Sequence, residues 1–409
     1  MKGSEFLRQT ATTTPAVVVG AAGGVALGVI RDLGHEGVPV VAVGPVERDA
    51  ALRSRYAVPA HCGIPHFNEE RVVDDLVAIA RKIGRKAVLF AAEDDYVAVV
   101  SRHIRVLREH YFIPMLDWDH MEKVIDKVQQ FELARNAGVE VPATAVIRSE
   151  AHLEEAAQSV AFPAVLKPSA LHLLYIRKGV KVIHVPSRDN LAEAYRRISF
   201  CGSVLLQEVI PGPDEDVTLS GAYHDAHSRP LAVFTGHKLR QHPRGFGNTR
   251  AGESRWSDEL ADVTLKLLAA VPYYGCSDVE FKRDARDGRL KLMEINPRQG
   301  LWSPLARAAG VNLAYIAYCD AVGKPYPTPR QIDGVRWTDM LMDGPSSVKE
   351  MLRGDLGPVQ WLGSLRGVRV DCFLSASDPL PGLVEARRIA ASHARRLLGR
   401  LRAARDRSA

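Results

Sequence analysis

Apolar residues in this chain arrive in short blocks whose period changes along its length, and the changes divide it. In "PAVVVGAAGGVALGVIRDLGHEGVPVVAVG", continuous apolar runs at Val17–Val19 and Val40–Val43 flank a glycine-rich turn and a helical stretch from Leu27 to Leu33. Strand, turn, helix and strand in that order make a βαβ unit. A helix near Arg71–Ile83 and a strand at Ala87–Ala91 continue the pattern to about Pro114. The reading is a doubly wound α/β domain over residues 15–116. From Asp117 the pattern is different. Asp119 reads as a helix cap with Glu122 at the capping-box spacing, and Met121, Val124, Ile125, Val128 and Phe131 follow at helical intervals. Strands are then predicted at "FPAVLKPS", "SVLLQEVIPG", "DVTLSGAYH" and "PLAVFTGHKL", and helices at Ser187–Ile198 and "SDELADVTLKLLAA". The segments "CSDVEFKRD" and "RLKLMEIN" form a hairpin across "ARDG". Hairpins mixed with helices imply an α+β unit over 117–325. A mixed region over 326–386 and a basic helical tail over 387–409 follow, with residues 1–14 as a disordered leader and no internal repeat.

Composition narrows the class without fixing the activity. With 46% hydrophobic and 25% charged residues, the 409-residue chain has the profile of a soluble globular protein. The formal charge is +6, yet residues 387–409 alone hold eight Arg and one Asp, so the body is close to neutral. A polyanion-binding reading therefore applies only to the tail, and no nucleic-acid partner is expected of the body. The tail could lie on an anionic membrane, but a helix packed by its leucines on the body or on a second copy is favoured, which leaves a homodimer open. Five scattered cysteines, never spaced as CxxC, argue against a disulfide framework or a zinc site. The weakly polar run over 16–30 is too short to span a bilayer, so the expected location is cytoplasmic.

The candidate chemistry lies in "LKLMEINPRQG" (290–300), where Glu294 and Asn296 interrupt a buried strand with a charge and an amide. Residues two apart share a face, so Glu294 and Asn296, with Leu292, point to the side opposite Ile295. On the preceding strand Glu280 sits between Val279 and Phe281, and a loop over 285–289 puts it opposite Glu294. Two carboxylates and one amide oxygen suit Mg²⁺ bridging substrate phosphates, with Mn²⁺ a possible substitute. The plainer alternative pairs these acids with Lys282, Arg283 or Arg298 on the surface.

Other segments carry matching chemistry. Lys127 lies in "IDKVQQFELARNAGVEVP", and Lys167 ends the apolar strand "FPAVLKPS", a costly place for a charge unless an anion meets it. "QEVIPGPDEDV" mixes acidic and apolar residues around a Pro-Gly turn, as an adenosine would need. In this order and spacing, "DKVQQF…AGVEVP", "FPAVLKP", "QEVIPGPDED", "DVEFKRD" and "MEINPR" resemble the ATP-grasp superfamily from about Asp117 to Val322, and the N-terminal unit resembles the domain that precedes it there. The resemblance implies a flap subdomain over about 140–206. It implies that Lys127 and Lys167 hold ATP phosphates, that Gln207, Glu208, Val209 and Ile210 form the adenine hinge, and that Glu215 binds the ribose. It implies Glu280, Glu294 and Asn296 as magnesium ligands and Arg298 as an arginine steadying the transferring phosphoryl group. The flap stretch "ALHLLYIRKGVKV" departs from the family in having one glycine and two lysines, of which Lys178 is a candidate phosphate ligand. "GHKLRQHPRGFGNTRAGESRW" (236–256) is similar to a segment of carboxylate–amine ligases related to D-aspartate ligase. Lys238 and Arg240 would there face an acyl phosphate or a substrate carboxylate; the alternative is a basic surface loop.

The implied activity is ATP-dependent joining of a small carboxylate to an amine through an acyl phosphate, releasing ADP and phosphate. A second ATP-grasp reading phosphorylates or carboxylates a small metabolite. A nicotinamide-dependent oxidoreductase is the outside alternative. However, "GAAGGVALG" lacks a clean GxGxxG, and "VPVVAVG" ends in Gly44 where a ribose-binding acid is expected. Gly20, Gly23 and Gly24 either shape a turn near the acceptor site or let strand and helix pack. "AAEDDYV" (91–97) either faces the same cleft or caps a helix at Glu93 or Asp94.

Overall fold

The first apolar run forms strand β1 (Ala16–Val19), followed by α1 (Gly24–His35), β2 (Val40–Gly44), β3 (Ala57–His61), α2 (Glu69–Ile83), β4 (Ala87–Ala91), α3 (Asp94–Arg102) and β5 (Tyr111–Phe112). The computed structural model describes residues 6, 9–46, 49–169 and 182–405, the last ten of these by backbone alone. The five strands make one parallel sheet in the order β3-β2-β1-β4-β5. Alternation within the strands explains why they read as unbroken apolar runs. Val17, Val19, Val41 and Leu89 face a core shared with Val72, Leu76 and Ile79 of α2. Ala16, Val18, Val40 and Phe90 face Leu27, Ile30 and Leu33 of α1 on the other side. Chain order reverses between β1 and β4, so their carboxyl ends flank a crevice from which Gly20 and Glu93 emerge.

The leader expectation fails where the structure describes it. Phe6 is buried, Arg85 Nη1 donates to Thr10 O (2.6 Å) and Tyr318 Oη donates to Thr14 O (2.7 Å). Thr10 is thus held to the first domain through Arg85, and Thr14 to the helical segment that carries Tyr318.

Two helices, α4 (Trp118–Ile125) and α5 (Lys127–Asn136), stand where the periodicity suggested one. Asp126 takes an extended conformation (φ −72°, ψ 122°), and its Oδ1 accepts from Val128 N (3.0 Å) and Gln129 N (2.9 Å), which caps the second helix. Asp119 lies inside the first turn of α4, and Asp117 occupies the cap position. Beyond them β6 (Thr144–Ile147), β7 (Ala164–Pro168), β8 (Ile183–Val185) and β9 (Val204–Glu208) form an antiparallel sheet in the order β6-β9-β7-β8. Its separate small core includes Ile147, Leu166, Ile183 and Leu206.

The rest of the chain builds one seven-stranded sheet. Its elements are β10 (Val217–His224), β11 (Pro230–His242), β12 (Asn248–Ser254), α6 (Asp258–Leu268), β13 (Gly275–Arg283), β14 (Leu290–Asn296), α7 (Ser303–Ala308), α8 (Leu313–Val322), β15 (Arg336–Thr338), α9 (Met340–Arg353), α10 (Pro358–Ser364), β16 (Val368–Asp371) and α11 (Pro379–Arg405). The strand order is β14-β13-β10-β11-β12-β15-β16. The segment 236–256 is therefore the paired strands β11 and β12, and only residues 243–247 form its loop. The C-terminal mixed region extends this sheet and is clamped to α1. Arg31 Nε donates to Asp378 Oδ2 (3.0 Å), and its other nitrogens reach the carbonyls of Cys372 and Phe373. The basic helix starts before Arg387, at Pro379, and Arg387 and Arg388 are exposed. Among the described residues no helix is long and apolar enough to cross a membrane.

Candidate active site

Strand β13 alternates strictly. Val279 and Phe281 enter the core beneath the sheet, and Asp278, Glu280 and Lys282 take the opposite face. Strand β14 would alternate in the same way but for a bulge. Phe281 pairs with Leu292 and Glu280 with Glu294, so Met293 is the extra residue. The bulge reverses the phase of the strand: Leu292 joins Ile295 in the core, not Glu294 on the open face as simple alternation predicts. It also compensates a loop one residue longer than expected, since Arg283 pairs with Leu290. Glu280 still meets Glu294 directly, and Asp278 meets Asn296 two pairs further on, on the same face.

Lysines from two other elements neutralise the opposed carboxylates. Lys127 Nζ donates to Glu294 Oε1 (2.8 Å), and Lys238 Nζ, almost fully buried, donates to Glu280 Oε2 (2.9 Å). The surface partners considered from sequence are engaged elsewhere: Arg283 with Glu259, Lys282 with Gly212 O, and Arg298 with Asp94. Burial opposes the charge on Lys127, but Glu294, with Asp94 and Glu280 behind it, outweighs burial and raises the pKa. Lys167 is the exception. Its Nζ donates to the neutral Gln207 Oε1 (2.6 Å), and burial, then the charge of Lys127, pull it down to about 8. It is a cation in the same field as Glu280 and Glu294, and among the described residues its one side-chain partner is an amide.

At the N-terminal-domain end, Arg298 Nε and Nη2 grip Asp94 Oδ1 (2.5 Å) and Oδ2 (3.1 Å), and Nη2 approaches Asn296 Oδ1 (3.4 Å). Asp94 is a residue of α3, so the "EDD" stretch does face this cleft. Glu93 takes the cap position without a side-chain cap bond, and burial followed by Asp95 pushes its carboxyl up to about 7. Asp278 was not singled out from the sequence, although the alternation of "SDVEFKRD" places it beside Glu280. It is buried, and burial and then Glu280 push it up to about 8. Of the glycines after β1, Gly20 needs its left-handed backbone (φ +81°), and Gly24 lets α1 approach Cys372 and Leu301. Turn and packing roles are therefore both present.

Other candidates are not brought to this face. Leu239 is bulged out of β11, so Arg240 points away from Lys238 and lies bidentate on Asp343 of α9 (2.9 and 2.8 Å). Glu208 is engaged through Oε1 with Ala143 N (2.8 Å) and through Oε2 with Arg286 (2.8 Å), and Val209 N donates to Pro163 O (3.0 Å). Of the expected hinge, the backbone at Ile210 is the part not engaged in these bonds. Glu215 is exposed and lines a cavity of about 110 Å³ together with Arg240 and Glu350. Lys178 lies outside the described residues. A larger cavity of about 340 Å³ opens between α3 and α4 and reaches Asp126 and Ser169, beside the two phosphate-binding candidates.

Two opposed carboxylates and an amide oxygen, on one face and already paired with cations, are the hard donor set a magnesium ion takes when substrate phosphates complete its shell. Among the described residues no cluster of three His, Cys, Asp or Glu forms a metal cage.

No protein-family model matches the chain. It is 28% identical to a D-aspartate ligase from Enterococcus faecium over 281 residues, 64% of this chain and 66% of that protein. It is 25% identical to a D-alanine–D-alanine ligase from Pseudomonas fluorescens over 219 residues, 49% of this chain and 65% of that protein. The chain thus spans just under two thirds of these relatives' length. The ADP complex of N5-carboxyaminoimidazole ribonucleotide synthetase superposes with a TM-score of 0.64 at 14% identity, covering 83% of this chain and 85% of that one.

Proposed function

We propose that this chain, which has the ATP-grasp fold, is an ATP-dependent carboxylate–amine ligase. The observation that carries the reading is Lys167: a half-buried cation with no paired acid among the described residues, in the same field as two opposed carboxylates. Lys167 calls for an anion, and a magnesium-bound triphosphate supplies it together with a cation that the carboxylate face can hold. In this reading Lys127 and Lys167 hold the phosphates, with Gln207 orienting Lys167. The adenine lies along the strand end at Glu208–Ile210, between the four-stranded and seven-stranded sheets. Glu280, Glu294 and Asn296 would hold Mg²⁺, which when bound draws charge from the triphosphate. Lys238 neutralises Glu280 from below and so limits repulsion of an incoming carboxylate. Arg298, fixed by Asp94, sets its guanidinium where the phosphoryl group moves.

A substrate carboxylate oxygen attacks the γ-phosphorus, the bond to ADP breaks, and an acyl phosphate forms. The amine nitrogen then attacks the acyl carbon, phosphate leaves with the former carboxylate oxygen, and one proton is released overall. The domains follow residues 15–116 for substrate entry and 117–325 for nucleotide and metal, with about 140–206 as the lid. The region 326–386 supports the sheet edge, and 387–409 is peripheral.

The test is ADP release from protein with Mg·ATP across L- and D-amino acids, singly and in pairs. We expect release that needs a carboxylate and an amine together and falls at least about 100-fold in Glu294→Gln. ADP release that is indifferent to both substrates contradicts the assignment.

A further inference from the structure

Among the described residues, Asp278 is the one carboxylate on the open face of β13 and β14 whose side chain has no partner. It is 7% exposed, and its side chain makes no hydrogen bond or ion pair among the described residues. Glu280 and Glu294, its neighbours on the same face, each have a lysine. A buried carboxylate without a donor is costly, so a site that keeps one is completed by something else. The loop after β14 folds over it: a Cβ at Gly300 would overlap the Asp278 carboxylate, so only glycine lets the loop lie this close. The preceding residue, Gln299, is 5% exposed, and its Oε1 also lacks a partner. Its amide nitrogen rests on Cys276 Sγ (3.7 Å), two residues before Asp278 on the same strand. Asp278 and Gln299 Oε1 thus lie on adjoining segments beside Arg298, and neither has a donor among the described residues. Arg298 itself is bound to Asp94.

Burial holds the Asp278 carboxyl up only while no cation is seated against it, so these groups call for a ligand that is positive in charge and rich in N–H groups. We propose that Asp278, with Gln299 Oε1, binds the ammonium group of the amine substrate and makes this enzyme select a primary ammonium over a neutral or anionic nucleophile. The proposal rests on the ligase reading and specifies its second substrate. Asp278 is a positioning residue in this account: it holds the nitrogen beside the phosphate-transfer end.

The test compares two nucleophiles with one enzyme. ADP release is measured with the amino-acid pairs of the panel and, for each carboxylate, with hydroxylamine, which is uncharged near neutral pH and needs no counter-charge. Asp278→Asn keeps the shape and removes the charge. Its ratio of kcat/KM for the amino-acid amine to kcat/KM for hydroxylamine should fall by about tenfold or more, mainly through the amine's KM. Gly300→Ala, which displaces the same carboxylate, should shift the ratio the same way. An unchanged ratio in both variants, whatever loss they share, overturns the proposal alone. A wild type that yields neither hydroxamate nor amide with any carboxylate overturns the ligase reading, and the proposal with it.

Discussion

Lys167 and Lys127 have similar surroundings and opposite pKa shifts, because only one of them has an acid. With its pKa pulled to about 8 from 10.5, Lys167 gives two opposed pH effects. Between those values the unfolded chain holds more protons than the folded one, so its contribution to ligand-free stability rises with pH. Its charge on the phosphates is lost over the same interval. Titration calorimetry should therefore show ATP affinity falling as pH rises above about 8, while the ligand-free melting temperature does not fall with it. Lys167→Met should flatten the affinity profile; an unaltered profile would reject the role. Lys167, Glu280 and Glu294 were legible in the sequence because each breaks an apolar pattern. Asp278 breaks one just as visibly but stands in a row of charges where Glu280 drew the attention. The state of its partners is a three-dimensional fact.

Bulges and caps decided where the sequence reading held at the level of single elements. The Glu280–Glu294 pairing survived because two departures cancel, a longer turn and the extra Met293. The bulge at Leu239 is offset only after Arg240, by the extra residue Arg250 on β12, so Arg240, two residues from Lys238, left the site for Asp343. Neither bulge has a sequence signal that alternation alone can detect. The break at Asp126 was readable in principle, since an acid at a cap position satisfies two amides of the next turn. Asp126→Ala should cost about 1 kcal/mol in denaturant unfolding and loosen the start of α5, which carries Lys127. A loss well below that would mean that packing against β14, not the cap, sets this break.

The assembly of the three sheets depends on contacts far apart in sequence, and here the sequence was least informative. A separate C-terminal region was a reasonable inference from its composition. Yet Asp378 is buried against Arg31, Ser54 Oγ (2.8 Å) and the amide of Arg55 (2.8 Å), and Asp32 of α1 accepts from Ser303 (2.5 Å) and Arg307 (2.8 Å). These bonds tie the first domain to α7 and to the segment after β16, both at the β12-β15-β16 end of the seven-stranded sheet. Removing one partner of such a buried pair leaves a charge unmet, so Asp378→Ala should lower stability by about 3–5 kcal/mol. Thermal unfolding should show one shifted transition if the clamp joins a single cooperative body. Early release of the C-terminal region alone would show that it does not.

The most direct test of the account follows an oxygen atom. With a carboxylate substrate carrying the heavy oxygen isotope, Mg·ATP and the amine, mass spectrometry of the released phosphate should find one labelled oxygen, transferred when the acyl phosphate is displaced. Amide product with unlabelled phosphate, or label in AMP, would contradict activation at the γ-phosphate and with it the proposed function.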